Sequence, residues 1–212
     1  MSEKGIFIEN GVDLSHWNNV ISFDSVKNAG FDFCILKAGG SDKGFYKDNK
    51  FEDYYRLAKL AGLKVGAYYF AGRNFYGYES GELDAKRFLH NIYGKDFEYP
   101  LVIDVEMTDP KEKNAATEAV IGFCEYLEKG GKYVSIYASD ISGFKERLNI
   151  DYLTKYDKWV ARYGKKPQYV KSYGIWQKTS TGEVPGINGK VDLDVSYKDY
   201  EKIILSHGLN RG

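Results

Sequence analysis

Apolar residues in this chain alternate between two spacings. Some form short, β-branched or aromatic runs; others recur every three or four positions over longer stretches. The first pattern predicts strands and the second predicts helices. Eight strand candidates follow in order: 11–15, 31–38, 64–70, a run leading into 104–106, 133–138, 158–163, 173–178 and 190–195. Residues 23–29 predict a short helix closed by Gly30. Phe51, Tyr54, Tyr55 and Ala58 predict a helix that stops at Gly62, with Asn49 and Glu52 spaced as a capping box. A third helix carries the stripe Leu83, Phe88, Leu89 and Ile92 before Gly94. A fourth carries Ala116, Val120, Phe123, Cys124 and Leu127 and runs to Gly130 and Gly131.

The early strands are spaced about 20 to 35 residues apart, enough for a crossover helix between parallel neighbours. The last three lie only about 15 residues apart, too close for a full crossover. Eight strands with five alternating helices predict an α/β barrel whose final helices are missing or vestigial. A doubly wound sheet is the competing architecture, but nothing matches G-x-G-x-x-G or a Walker motif. At 212 residues the chain can bury one sizeable core and is short for two ordinary domains, so 1–212 is expected to be a single domain.

The fourth strand candidate carries the most pointed chemistry. In Y-P-L-V-I-D-V-E-M-T-D-P, residues 99–110, an apolar run leads into Asp104 and Glu106. Residues i and i+2 of a strand face the same way, about 6–7 Å apart. Paired carboxylates at the end of a buried strand raise each other's proton affinity, which suits acid–base work. The alternative is that the run ends at Val105 and both acids lie in a solvated loop.

Composition narrows the choices. Thirty basic and 30 acidic residues balance to a net charge of +0, and no basic tract stands out, which argues against nucleic acid as a partner. Cys34 and Cys124 sit in apolar segments and read as buried hydrophobes. His16, His90 and His207 lack metal-ligand spacing, so no metal is expected. Residues 1–10 lack the apolar stretch of a secretion signal, and no run approaches the length of a membrane span. The 19 tyrosines suit both sugar stacking and core packing.

In an α/β barrel the chemistry gathers at the C-terminal strand ends. That rule selects Asp13 and Ser15, Tyr69 and Arg73, Asp104 and Glu106, Tyr137 and Ser139, Arg162 and Tyr163, Trp176 and Gln177, and finally Asp192 and Asp194. Five carboxylates and several rings on one face have the composition of a sugar-cleaving groove.

These residues carry a family resemblance. D-L-S-H-W at 13–17, I-D-V-E at 103–106, W-Q-K-T-S at 176–180 and V-D-L-D-V at 191–195 occur in an order and spacing that resemble glycoside hydrolase family 25, the Chalaropsis-type lysozymes or muramidases. The resemblance spans about 11–197. It implies a flattened (β/α)5(β)3 TIM-like barrel and cleavage of the β-1,4 bond between N-acetylmuramic acid and N-acetylglucosamine in bacterial peptidoglycan. It implies no cofactor. By position, Glu106 matches the general acid and Asp104 the carboxylate that supports the reacting 2-acetamido group. Asp13 and Asp192 match two further acids of the groove. Tyr69, Tyr137, Arg162, Trp176, Gln177 and Asp194 are the expected substrate-binding residues.

The chain also departs from the pattern. Asp194 stands where the family often has Asn, Lys178 where an aromatic is common, and Tyr69 where His is frequent. A related glycosidase acting on chitin and a non-catalytic wall-binding barrel are the competing functions; the four intact acids argue against the second. A monomer is expected, acting on the cell wall without inserting into membrane. With no signal peptide read in the chain, it would be released in the manner of a phage endolysin or exported by another route.

Overall fold

In the computed structural model, which describes residues 7–212, eight strands close into a barrel. They are β1 (Glu9–Leu14), β2 (Phe33–Gly40), β3 (Lys64–Phe70), β4 (Leu101–Asp104), β5 (Val134–Ser139), β6 (Asp157–Ala161), β7 (Ile175–Gly182) and β8 (Val191–Ser196). Strands β1 to β7 are parallel in sequence order. Strand β8 closes the ring antiparallel to both β7 and β1. The short strand Tyr46–Lys47 extends the sheet beside the end of β2, and Asn19–Val20 pairs with Ile187–Asn188 as a separate ribbon.

Four helices alternate with strands as the periodicity predicts: α1 (Phe23–Asn28), α2 (Phe51–Leu60), α3 (Tyr78–Asn91) and α4 (Lys113–Lys129). The expected fifth crossover is different. Between β5 and β6 the chain makes turns and a 3-10 stretch at Ile150–Leu153, and the fifth helix, α5 (Tyr200–Ser206), comes only after β8. Its Tyr200 and Ile204 are buried with Phe33 and Tyr99 inside the barrel. Helix α5 therefore plugs the end opposite the strand C-termini.

Period-2 alternation sorts the core into two layers. Phe33, Ile35, Tyr68, Val102, Tyr137, Trp159 and Ile175 point into the barrel. Their chain neighbours, among them Cys34, Leu36, Tyr69, Ile103, Ile136 and Val160, point out against the helices. Both cysteines are buried and free. Helices α3 and α4 touch backbone to backbone: a Cβ at Gly81 would fall 1.8 Å from Ala119 O, and one at Gly122 would fall 2.2 Å from Tyr78 O.

Two local expectations need correction. Helix α2 starts at Phe51 with no side-chain cap; Asp48 Oδ1 accepts the Lys50 N–H at 2.9 Å, while Glu52 pairs with Lys47 and Lys95, so no Asn49–Glu52 capping box forms. Helix α3 begins five residues before Leu83, and Leu83 is exposed; the buried face is Gly81, Asp84, Ala85, Phe88 and Asn91. The small residues on that face are what let α4 approach.

Candidate active site

Strand β4 is buried throughout and ends at Asp104. Val105 adds one more ladder bond, donating its N–H to Tyr137 O at 3.0 Å. Glu106 lies past the strand and is open to solvent. The strand and loop readings of this pair are thus each half right: Asp104 is 5 % exposed on a strand, and Glu106 is on the loop that leaves it. Both line one cleft of about 430 Å³ at the mouth of the barrel.

That cleft is the middle of a longer groove. On one side it shares Trp17, Lys37, Asp42 and Lys43 with a cavity of about 300 Å³. On the other it shares Glu106, Tyr137 and Tyr163 with a cavity of about 280 Å³. Glu106 thus stands where two of the three parts meet. Trp17, 77 % exposed, forms a ring platform in the groove; the neighbouring His16 is tied to Asp48, with Nδ1 2.6 Å from Asp48 Oδ2.

The strand register explains which side chains meet. Phe70, Asp104 and Tyr137 are paired across β3, β4 and β5, so they share the inward face. Tyr137, Trp159 and Ile175 continue that row across β5, β6 and β7. Asp13 and Asp192 pair across β1 and β8. A hydrogen-bond chain links the sides: Tyr137 Oη donates to Gln177 Oε1 at 2.9 Å, and Gln177 Nε2 donates to Asp13 Oδ2 at 2.7 Å.

The floor is crowded with acids. Burial raises the Asp104 carboxyl well above the ordinary range, the Glu106 charge raises it further, and Lys37 offsets part of the rise. Although one side of Glu106 meets solvent, the protein packed around the rest of its carboxyl desolvates it and raises it, against the Tyr137 hydroxyl, Lys37 and Arg147. Burial and the Glu106 charge push Asp192 up to about 6. Asp13 is raised by burial and then by Asp194 and Asp192. Lys37 is lowered by burial, against Asp104, Asp42 and Asp48. Each of these shifts favours the protonated form of its carboxyl, the condition for acid–base work. Asp104 Oδ1 is buried and has no hydrogen-bond partner among the described residues.

The predicted residues divide into groups. Asp13, Asp104, Glu106, Asp192, Tyr137 and Gln177 converge on the central cleft. Tyr69 does not. It is fully buried on the outward face of β3, packs on Phe88 and Phe123, and donates its hydroxyl to Asp84. Its neighbour Tyr68 faces the cleft instead. Trp176 is on the outward side of β7, with Nε1 donating to Arg162 O; its neighbour Gln177 faces the cleft, as does Trp159 from β6. Arg162 reaches the flanking cavity, but its guanidinium is held by Asp140 at 2.6 Å and Gln168 at 3.0 Å. Arg73 is exposed and lies outside the central cleft. Asp194 is fully buried beneath the floor, out of reach of a ligand in the groove, because antiparallel β8 enters at the mouth and descends.

Lys37 escaped the strand-end rule. Its ammonium lies 4.2 Å from the Phe70 ring centroid and lines both the central cleft and its neighbour. A lone lysine in the otherwise apolar run F-C-I-L-K-A, at the parity of Phe33 and Ile35, was the available signal.

Known proteins resemble this chain in sequence and in fold. The family model of the glycosyl hydrolases family 25 matches residues 12–187. The chain is 31% identical to the autolytic lysozyme of Clostridium acetobutylicum, covering 87% of this chain and 54% of that protein. It is 32% identical to lysozyme M1 of Streptomyces globisporus, covering 86% and 65%. It therefore spans between about half and two thirds of these relatives. Among solved structures, the CTP1L endolysin superposes with a TM-score of 0.80 at 27% identity, covering 93% of this chain and 70% of that one. A family 25 glycosyl hydrolase from Bacillus anthracis superposes at 0.77 with 25% identity, covering 99% and 96%.

Proposed function

The chain belongs to the glycosyl hydrolases family 25, and from that membership we propose that it is a muramidase, hydrolysing the β-1,4 bond between N-acetylmuramic acid and N-acetylglucosamine in bacterial peptidoglycan. The observation that carries this reading is the carboxyl pair Asp104 and Glu106 lining the cleft midway along an open groove. A groove in three connected parts suits a polymer. Asp104 lines the floor of that groove, and its carboxyl suits the N–H of a 2-acetamido group as an acceptor.

In this reading Glu106 is the general acid and gives its proton to the departing glycosidic oxygen. Tyr137 has one hydroxyl proton and two nearby acceptors, Gln177 Oε1 and Glu106. Once Glu106 is ionised, that hydroxyl can turn to it and stabilise the carboxylate. Asp104 accepts the acetamido N–H and so turns the acetamido carbonyl oxygen toward the anomeric carbon, which it attacks as the leaving oxygen departs. Water then opens the resulting ring intermediate, and its proton returns to Glu106. Asp13 and Asp192 line the floor and favour positive charge at the sugar. No described helix is long and apolar enough to cross a membrane; the site of action in this reading is the cell wall.

The test is product analysis of purified peptidoglycan digested by the wild type and by Glu106→Gln. New reducing ends on N-acetylmuramic acid, absent with the variant, are expected. Reducing ends on N-acetylglucosamine would overturn the bond assignment. Activity on chitin oligomers alone would replace the substrate.

A further inference from the structure

Asp194 has no part in the reaction just outlined, yet it is fully buried at the centre of the molecule. Strand β8 carries Asp192 and Asp194 on its inward face. Running antiparallel, it pairs Asp192 with Asp13 at the mouth and Asp194 with Gly11 one layer down. Asp194 Oδ1 accepts the Trp159 Nε1 hydrogen at 2.8 Å. Its Oδ2 is buried and meets no N–H or hydroxyl among the described residues. Above it, Asp13 Oδ2 accepts from Gln177 Nε2. Asp194 stands diagonally across from Asp13 on the inward face of the β1–β8 ladder, with only Gly11 directly opposite it, so the two carboxyls are neighbours. Two carboxylates cannot hydrogen-bond without a proton between them, and like charges so close in a buried site do not both ionise.

We propose that Asp194 is a positioning residue that shares one proton with Asp13, and that this carboxyl–carboxylate bond, anchored by Trp159 below and Gln177 beside it, holds Asp13 in the cleft floor at a single negative charge for the pair. An asparagine at 194 would donate its own amide hydrogen to Asp13. The shared proton lets an aspartate do the same, with the difference that an aspartate can lose it. Burial and Asp192 favour retention of the proton on both partners; Trp159 and Lys178 act against it at Asp194, and Gln177 acts against it at Asp13. Tyr68, on the facing strand β3, also feels the Asp13 charge. Loss of the proton at alkaline pH would set two buried charges against each other and release Asp13 from its position.

The role in catalysis rests on the muramidase reading; the shared proton does not. Infrared difference spectroscopy of the whole chain at neutral pH, wild type minus Asp194→Asn, should show the carbonyl stretch of a protonated carboxyl that the variant lacks. A difference spectrum without that band overturns the proposal whatever the substrate. On peptidoglycan, Asp194→Asn should keep kcat within about threefold of wild type while the alkaline fall in its pH profile moves to higher pH. Asp194→Leu, unable to donate or accept, should lose about tenfold or more in kcat with KM little changed. Equal kcat and equal pH profiles in wild type, Asp194→Asn and Asp194→Leu would reduce Asp194 to packing and overturn the positioning role. If Asp194→Leu does not fold, the infrared band and the Asp194→Asn profile decide. An inactive wild type would sink the muramidase reading and leave the infrared result to judge the proton.

Discussion

The two ends of this barrel both bury carboxylates, and they treat them in opposite ways. At the plugged end Asp157 accepts from Tyr200 Oη at 2.7 Å, Tyr133 Oη at 3.1 Å and the Lys158 N–H at 2.8 Å, and it pairs with Lys198 at 2.9 Å. Nearby Glu9 accepts from Tyr99 and pairs with Lys64. Toward the open end Asp104 and Asp194 each keep a buried oxygen that no N–H or hydroxyl of the described residues reaches. The acids there raise one another instead. One end is arranged so that charge stabilises the fold. The other holds charge in an unfavourable setting, which is useful only when a ligand supplies the missing partner or when a proton is to be passed on.

If that contrast is sound, a change at each end should affect a different property. The largest effect belongs to Glu106→Gln: a fall of about 10²–10⁴ in kcat, with thermal stability equal to wild type or higher, read by turbidity of cell walls and by calorimetry. Asp157→Ala should do the reverse. It strands the buried Tyr200 hydroxyl and removes charge-assisted bonds, so denaturant unfolding should show a loss of about 3 kcal/mol, with kcat of the folded protein unchanged in the cold. A drop in kcat as large as that of Glu106→Gln would erase the division of labour.

Two adjacent hydroxyls sharpen the comparison between the faces of one strand. Tyr68→Phe, in the cleft, should raise KM about threefold to tenfold. Tyr69→Phe, on the outward face, should leave KM alone and cost about 1 kcal/mol of stability through its lost bond to Asp84. The smallest effect is a matter of sign. Because Asp104 is raised above its ordinary value of 3.8, the native state binds more protons than the unfolded chain as pH rises past that value, and stability falls with rising pH. Asp104→Asn lacks this cost. Its melting temperature should match wild type near pH 4 and exceed it increasingly toward neutral. A gap that narrows with rising pH would contradict the raised carboxyl.

Much of the candidate site is legible in the residue order alone. The D-x-E pair announced itself by an apolar run bounded by prolines, and the strand-end rule brought Asp13, Tyr137, Gln177 and Asp192 to the same face. The rule failed where it assumed direction or parity. It treated β8 as parallel, so Asp194 was placed at the mouth beside Asp192, when the antiparallel strand puts Asp194 a layer deeper. It chose Tyr69 over Tyr68, because two adjacent rings give no hint of which faces inward, and it took Trp176 for a groove residue when the parity of β7 turns Ile175 and Gln177 inward instead. It passed over Lys37, whose ammonium reaches the groove from a strand that otherwise reads as core.

By itself the sequence determined the kinds of element, their order and the place of the acid pair, since the spacing of apolar residues and the turn signals between them are local properties. Tertiary structure decided phase and depth. Which of two neighbouring side chains enters the barrel depends on the hydrogen-bond register with the strands alongside, and that register is set only when the ring closes. The closing strand runs against the others, and with that reversal one aspartate came to the groove and its partner two residues on was buried beneath it.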